Sequence, residues 1–183
     1  MQEYLVATGS NMRHVLHGGP RRILIAAEEA VRKAGVHVLA AAPVMASRPI
    51  GPSRRIYANG GWHLAAPHDP PAMLALLQQM ERGFARHRRG MRWQARTLDL
   101  DIVLWSGGVW SEAGAEPGLI IPHPEFAHRA FVTGPLSAIA PGWRVPGCCL
   151  TLRQLHARLT RSQPLPSGAG GGALSSVCRA TDF

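Results

Sequence analysis

The chain has 183 residues, 46% of them hydrophobic, and a formal net charge of +9 at pH 7. That length suits one domain, the apolar share argues against a disordered chain, and no apolar run approaches the roughly 20 residues a membrane helix needs. The opening MQEYLVATGSN carries Glu3 and no basic leader region, and Cys148, Cys149 and Cys178 have no CxxC spacing, so neither a secretory signal nor a disulfide framework is expected and the expected compartment is a reducing cytoplasm.

In chain order, residues 3–8 read as an apolar strand running into Gly9-Ser10-Asn11, a turn signal. Residues 20–34 read as a helix, with Pro20 in the first turn, an apolar stripe of Ile23, Ala26, Ala27, Ala30 and Ala34, and Gly35 as the stop. Residues 36–46 read as one strand, in which Pro43 suggests an edge or a bulge. Residues 47–56 form a loop and 57–66 another strand. Asp69 caps a helix over 70–86 with Met73, Leu76, Leu77, Met80 and Phe84 on its apolar face. An Arg/Gly loop, 86–96, precedes the strand 98–105, and 106–118 is a hairpin or loop. Helices follow near 129–139 and 151–159, the latter with Leu152, Leu155 and Leu159 in phase. Residues 1–160 then make one domain, and the Gly/Ser/Pro-rich 161–183 a disordered tail. The β-α-β-β-α-β order predicts an α+β fold, a ferredoxin-like sandwich with C-terminal additions.

The positive charge is concentrated. Lys33 is the only lysine, six arginines fall between Arg82 and Arg96, and no acid lies from residue 82 to 98. Genome composition can favour Arg over Lys, but such clustering also suits a large anion, since a guanidinium grips phosphate bidentately. Directly downstream, Leu98-Asp99-Leu100-Asp101 alternates apolar and acidic residues. In a strand Asp99 and Asp101 project to one face, where their repulsion is relieved by a cation between them. A solvated polar face would show the same alternation. Arginines for phosphate beside carboxylates for Mg²⁺ make a phosphoryl-transfer constellation. No P-loop, Rossmann fingerprint, HExxH or zinc spacing is present.

The segment RWQARTLDLDIVL resembles the RWGPRTLDLDILL signature of 6-hydroxymethyl-7,8-dihydropterin pyrophosphokinases. ATGSN, SRPIGP, YAN, PHP followed by RAFV, and PL…IAP resemble that family's other blocks, in order, over roughly residues 3–160. The resemblance implies transfer of pyrophosphate from ATP to the pterin's hydroxymethyl oxygen with release of AMP, a step of folate biosynthesis, on a ferredoxin-like fold with two Mg²⁺ ions. It implies Asp99 and Asp101 as metal ligands, and Arg88 and Arg96 with them as the catalytic group. It implies ATP contacts from Gln78, Glu81, Arg86, Arg88, Arg92, Trp93, Arg96, Ile102, His123 and Arg129. For the pterin it implies a stacking pair, Trp93 and Phe131, an amide, Asn59, and a wall of Ser47, Pro49, Ile50 and Tyr57. A flat heteroaromatic substrate calls for such faces and such an amide. The partners expected are these two small molecules, with no nucleic acid and no membrane, on a monomer.

The chain departs from the family pattern at Gln94-Ala95, Ser47, Met45, Gly60-Gly61 and residues 11–19, which bears on loop motions and, at Gly60-Gly61, on how firmly that strand is held. Two rival readings stand beside this one. An inactive ATP-binding relative would keep the groove without turnover. An RNA-binding module would use basic loops and exposed aromatics, but it lacks an aromatic strand pattern, and Asp99 and Asp101 would repel phosphate.

Overall fold

A computed structural model describes residues 1–47, 57–84, 97–111 and 118–161. The apolar run at the start becomes β1 (Gln2–Ser10), the strand on which the sheet is built. It is followed by α1 (Pro20–Lys33), β2 (His37–Ala41), β3 (Met45–Ser47), β4 (Tyr57–Ala66) and α2 (Pro70–Phe84). Then come β5 (Asp99–Trp105), the short pair β6 (Trp110–Ser111) and β7 (Ile120–Ile121), one 3-10 turn (Phe126–His128), α3 (Ala130–Ile139) and α4 (Leu152–Thr160).

β1 pairs antiparallel with β4 on one side and with β5 on the other, and β2 pairs antiparallel with β4. The order across the sheet is β2-β4-β1-β5, with β3 also held on β4. The β1–β4 register runs unbroken from Gln2↔Ala66 to Ser10↔Ala58. Because strand side chains alternate, β1 feeds two cores. Tyr4 and Val6 pack with Ile23, Leu24, Ala27 and Val31 of α1 and with Met73, Leu77 and Phe84 of α2. Leu5 and Ala7 pack on the other face with Val132 and Leu136 of α3 and Leu152 of α4. Leu5, Val6, Leu64 and Leu104 are wholly buried, and each contributes about 1.5–3 kcal/mol relative to exposure. The result is a mixed α/β molecule with a mainly antiparallel sheet and helices on both faces.

Local signals explain most boundaries. Gly35, at φ +85°, ends α1 where a side chain would be strained. Asp69 Oδ1 accepts the N–H of Ala72 at 3.0 Å and starts α2. Thr151 and Gln154 form a reciprocal capping box at the start of α4.

Several expectations need correction. The strand expected over 36–46 is two strands: the Ala42 N–H still bonds the Gly61 carbonyl at 2.8 Å, and the ladder is then interrupted at Pro43, which has no N–H. Gly9 and Ser10, expected in a turn, extend β1: both pair with β4, and Gly9 also pairs with β5. The buried stripe of α1 is Ile23, Leu24, Ala27 and Val31, while Ala34 is exposed beyond the helix end. Bulkier apolar side chains take the inward positions. Gly60 and Gly61 do not loosen their strand: both are buried in β4, opposite Thr8 and Ala7. A Cβ at Gly61 would meet Leu136 Cδ2 at 2.6 Å and one at Gly60 would meet Thr8 Oγ1 at 2.8 Å, so the missing side chains allow close packing. Residues 85–86 at the expected helix end and the tail from 162 lie outside the described residues.

Candidate active site at the end of the central strands

The site is built on one row of the sheet. Gly9 of β1 lies opposite Asn59 of β4 and opposite Asp99 of β5. A Cβ built on Gly9 would stand 3.6 Å from Asn59 Oδ1 and 3.7 Å from the Asp99 Cβ, so both side chains rise on the same face, flanking the bare glycine. One step along, Ala7 lies opposite Asp101 and Gly61. Gly9 thus leaves a gap without a side chain between Asp99 and the amide, whereas Gly61 and Ala7 further along are covered by α3. Asp99 and Asp101 are half-buried, while Leu100 and Ile102 between and after them are buried on the opposite face.

That alternation places Ile102 differently from the other residues expected at the nucleotide. Its side chain is 3% exposed and lies in the α1/α2 core, which leaves only its main chain to meet a ligand. Glu81, near the end of α2, accepts the N–H of Leu100 at 2.7 Å through Oε1. It therefore braces β5 between the aspartates. Gln78, one turn earlier, is exposed. Ser10, 1% exposed, donates its hydroxyl to the Thr97 carbonyl at 2.6 Å and fixes the chain just before Asp99. The next residue, Asn11, holds a buried Oδ1 with no hydrogen-bond partner among the described residues.

His123 and Arg129 arrive from the stretch after β7. The His123 main chain donates to the Val103 carbonyl at 3.0 Å, which sets it beside β5. Its Nδ1 accepts the N–H of Glu125 at 3.2 Å, so the neutral ring carries its proton on Nε2 as a donor. Arg129 precedes α3 and its guanidinium is 4.0 Å from the Glu125 carboxylate, an exposed and weak pair. Phe131, in the first turn of α3, packs against the α3/α4 core. Pro135 and Leu136 of the same helix rest over Gly61, and Phe131 lies one turn before Pro135 on that helical face. Asn59 is 6% exposed, and Tyr57 at the start of β4 is half-buried opposite Ser47.

Of the expected site residues, Pro49, Ile50, Arg86, Arg88, Arg92, Trp93 and Arg96 lie outside the described residues. Those described fall on β3, β4, β5, α2, α3 and the His123–Arg129 stretch. Sequence reasoning missed Gly9 as the spacer of the row and Ser10 as the tie to Thr97. A strand running straight into Gly-Ser was the only available signal, and it also fits a turn.

The donor set suits a hard cation. Two carboxylates two positions apart on one strand supply oxygen ligands, with the bare Gly9 beside Asp99. Among the described residues no group of three or more His, Cys, Asp or Glu gathers into a metal cage. A pair that leaves further positions to water and phosphate oxygens is the pattern Mg²⁺ takes in phosphoryl-transfer sites.

A profile of the 7,8-dihydro-6-hydroxymethylpterin-pyrophosphokinase family matches residues 5–141. The 2-amino-4-hydroxy-6-hydroxymethyldihydropteridine pyrophosphokinase of Synechocystis is 35% identical over 144 residues, covering 77% of this chain and 71% of the relative. The enzyme of that name from Pseudomonas aeruginosa is 35% identical over 148 residues, covering 80% and 85%. That from Haemophilus influenzae is 32% identical over 143 residues, covering 77% and 83%. With the profile spanning most of the sheet and the site row, the chain belongs to the family of 7,8-dihydro-6-hydroxymethylpterin pyrophosphokinases.

Proposed function

We propose an assignment of parts for the family's reaction, in which the row Asn59–Gly9–Asp99 is the meeting point of the two substrates. As a member of this family the chain is an ATP-dependent diphosphotransferase that moves a pyrophosphoryl group to 6-hydroxymethyl-7,8-dihydropterin, in folate biosynthesis. The observation that carries the assignment is that an amide and a carboxylate flank one glycine at a single register position. Such spacing suits a pterin edge read on one side and a phosphate chain held on the other.

In this reading Asn59 pairs with the pterin's donors and acceptors, and Phe131 and Trp93 cover its two faces. Ser47, Pro49, Ile50 and Tyr57 wall the slot. Asp99 and Asp101 hold two Mg²⁺ ions, which when bound neutralise phosphate charge and orient the attacked phosphorus. Arg86, Arg88, Arg92 and Arg96 surround the triphosphate, with Arg88 and Arg96 at the transferring group. His123 donates through Nε2 to a phosphate oxygen, Arg129 adds a charge, and Gln78 and Glu81 stand on the nucleotide side. The hydroxymethyl oxygen attacks in line and AMP leaves. Catalysis is then positioning and charge stabilisation. We also assign the sheet to the ferredoxin-like class, supported by the order β1-α1-β2-β4-α2-β5, with the short β3 as an insertion, and by the antiparallel sequence β2-β4-β1-β5.

The test is AMP release from Mg·ATP with and without 6-hydroxymethyl-7,8-dihydropterin. The expected result is pterin-dependent AMP and a diphosphorylated pterin. Asp99→Ala and Asp101→Ala are each expected to lower kcat on the order of a hundredfold or more with the fold retained. Near-normal turnover in either variant overturns the metal assignment, and ATP binding without turnover in the parent chain points to the inactive relative.

A further inference from the structure

The first turn of α3 lacks two ordinary supports. Its N-cap, Arg129, makes no side-chain cap, and Pro135 stands inside the helix. Proline has no N–H to give the carbonyl four residues back, which here is that of Phe131. A rung is therefore missing at the residue assigned to stack on the pterin.

An outside tie replaces these supports. Thr133 is wholly buried, and its Oγ1 is 2.9 Å from Nδ1 of His156 on α4. Its other contact is longer, 3.4 Å to the Arg129 carbonyl. That carbonyl also accepts the N–H groups of Val132 and Thr133, both at 3.0 Å, so it is the anchor of the turn. The His156 ring fits where Gly134 has no side chain. A Cβ there would stand 3.3 Å from His156 Cε1 and 3.7 Å from Nε2, so the imidazole lies directly against α3. α4 is a firm base for it, held by its capping box and by wholly buried Leu152. Without His156 the buried hydroxyl keeps only the long contact, and an under-satisfied buried hydroxyl is costly. His156 lies beyond residues 5–141, which the family profile matches.

We propose that His156 is a positioning residue: through Thr133 it sets the first turn of α3 and hence the face that Phe131 presents to the pterin. The inference rests on the assignment of Phe131 to the pterin slot.

The test compares the parent chain with His156→Ala, His156→Asn, Thr133→Val and the double variant His156→Ala/Thr133→Val. The KM for 6-hydroxymethyl-7,8-dihydropterin is expected to rise about three- to tenfold in each single variant except His156→Asn, the size of one lost hydrogen bond. kcat and the KM for ATP are expected to stay within about twofold on the same reasoning. The double variant should be no worse than the worse single one, because both break one tie. The amide of Asn can replace Nδ1, so His156→Asn should regain most of the parent's KM. Amide hydrogen exchange, read without substrate, should quicken at Val132 and Thr133 in His156→Ala while α2 is unaffected. An unchanged pterin KM in both single variants overturns the proposal even if Tm falls, as do additive losses in the double variant or unchanged exchange at Val132 and Thr133. If the parent chain turns over no pterin, it is the assignment of function that fails, and the exchange measurement still decides whether His156 holds the turn.

Discussion

Tyr4 shows how a single buried group sets a pH limit. It is wholly buried in β1, and its hydroxyl donates to the His68 carbonyl at 2.6 Å. Its pKa is pushed up to about 12, first by burial and then by the nearby Asp69 carboxylate. An unfolded tyrosine ionises near 10. Below that pH both states are protonated and the contribution is complete. Between about 10 and 12 the unfolded state binds fewer protons than the folded one, so stability falls with rising pH at up to about 1.4 kcal/mol per unit. Urea denaturation from pH 8 to 11.5 should show this fall in the parent chain and a shallower one in Tyr4→Phe. Tyr4→Phe should also be about 1 kcal/mol less stable at pH 8, having lost the bond to His68. At this scale the sequence was most legible where side chains alternate: Asp99 and Asp101 share a face because β5 is a strand, and its own pattern says so. Thr133 and His156 were not legible, because 23 residues separate them and only the packing of α3 on α4 brings them together.

Elements that touch closely depend on what is absent between them. α3 comes down on β4 at Gly61, where an added Cβ would be 2.6 Å from Leu136 Cδ2 and 3.5 Å from Pro135 Cβ. Leu136 is wholly buried and cannot swing away. Gly61→Ala should therefore push the helix outward and cost about 1–3 kcal/mol, as overpacked cores do. Gly83 offers the contrast, since a Cβ there meets nothing within 4 Å among the described residues and the residue is in α2. Gly83→Ala should stabilise the chain by roughly 0.5–1 kcal/mol, and urea denaturation of both variants checks the pair. Helices were read closely from the sequence because caps and apolar phase are local: Asp69 and Thr151 each start one. The strand around Pro43 was misjudged because an apolar run looks continuous until pairing decides which residues keep a partner. The Gly60-Gly61 pair was misjudged because its partner surface, Leu136, lies far along the chain.

For the molecule as a whole, the β-α-β-β-α-β reading implied an α+β fold, and the antiparallel sheet β2-β4-β1-β5 with helices on both faces is of that class. The sequence could not tell which face each helix covers, since that depends on how the crossovers turn. Net charge belongs to this scale too. At +9 the chain attracts a polyanion from a distance, and salt screens that attraction. kcat/KM for ATP should fall several-fold between about 0.05 and 0.5 M NaCl, with kcat changing less. A salt-independent kcat/KM would show that the positive charge does not steer ATP. One further consequence follows from β5, which is an edge strand of the sheet among the described residues. An open strand edge invites another chain to add itself and seed aggregation. Here Glu81 already occupies the Leu100 N–H, and acidic side chains stand at Asp99 and Asp101. Glu81, Asp99 and Asp101 thereby blunt this border of the sheet, so replacing all three with apolar residues should make the protein more prone to stick to itself.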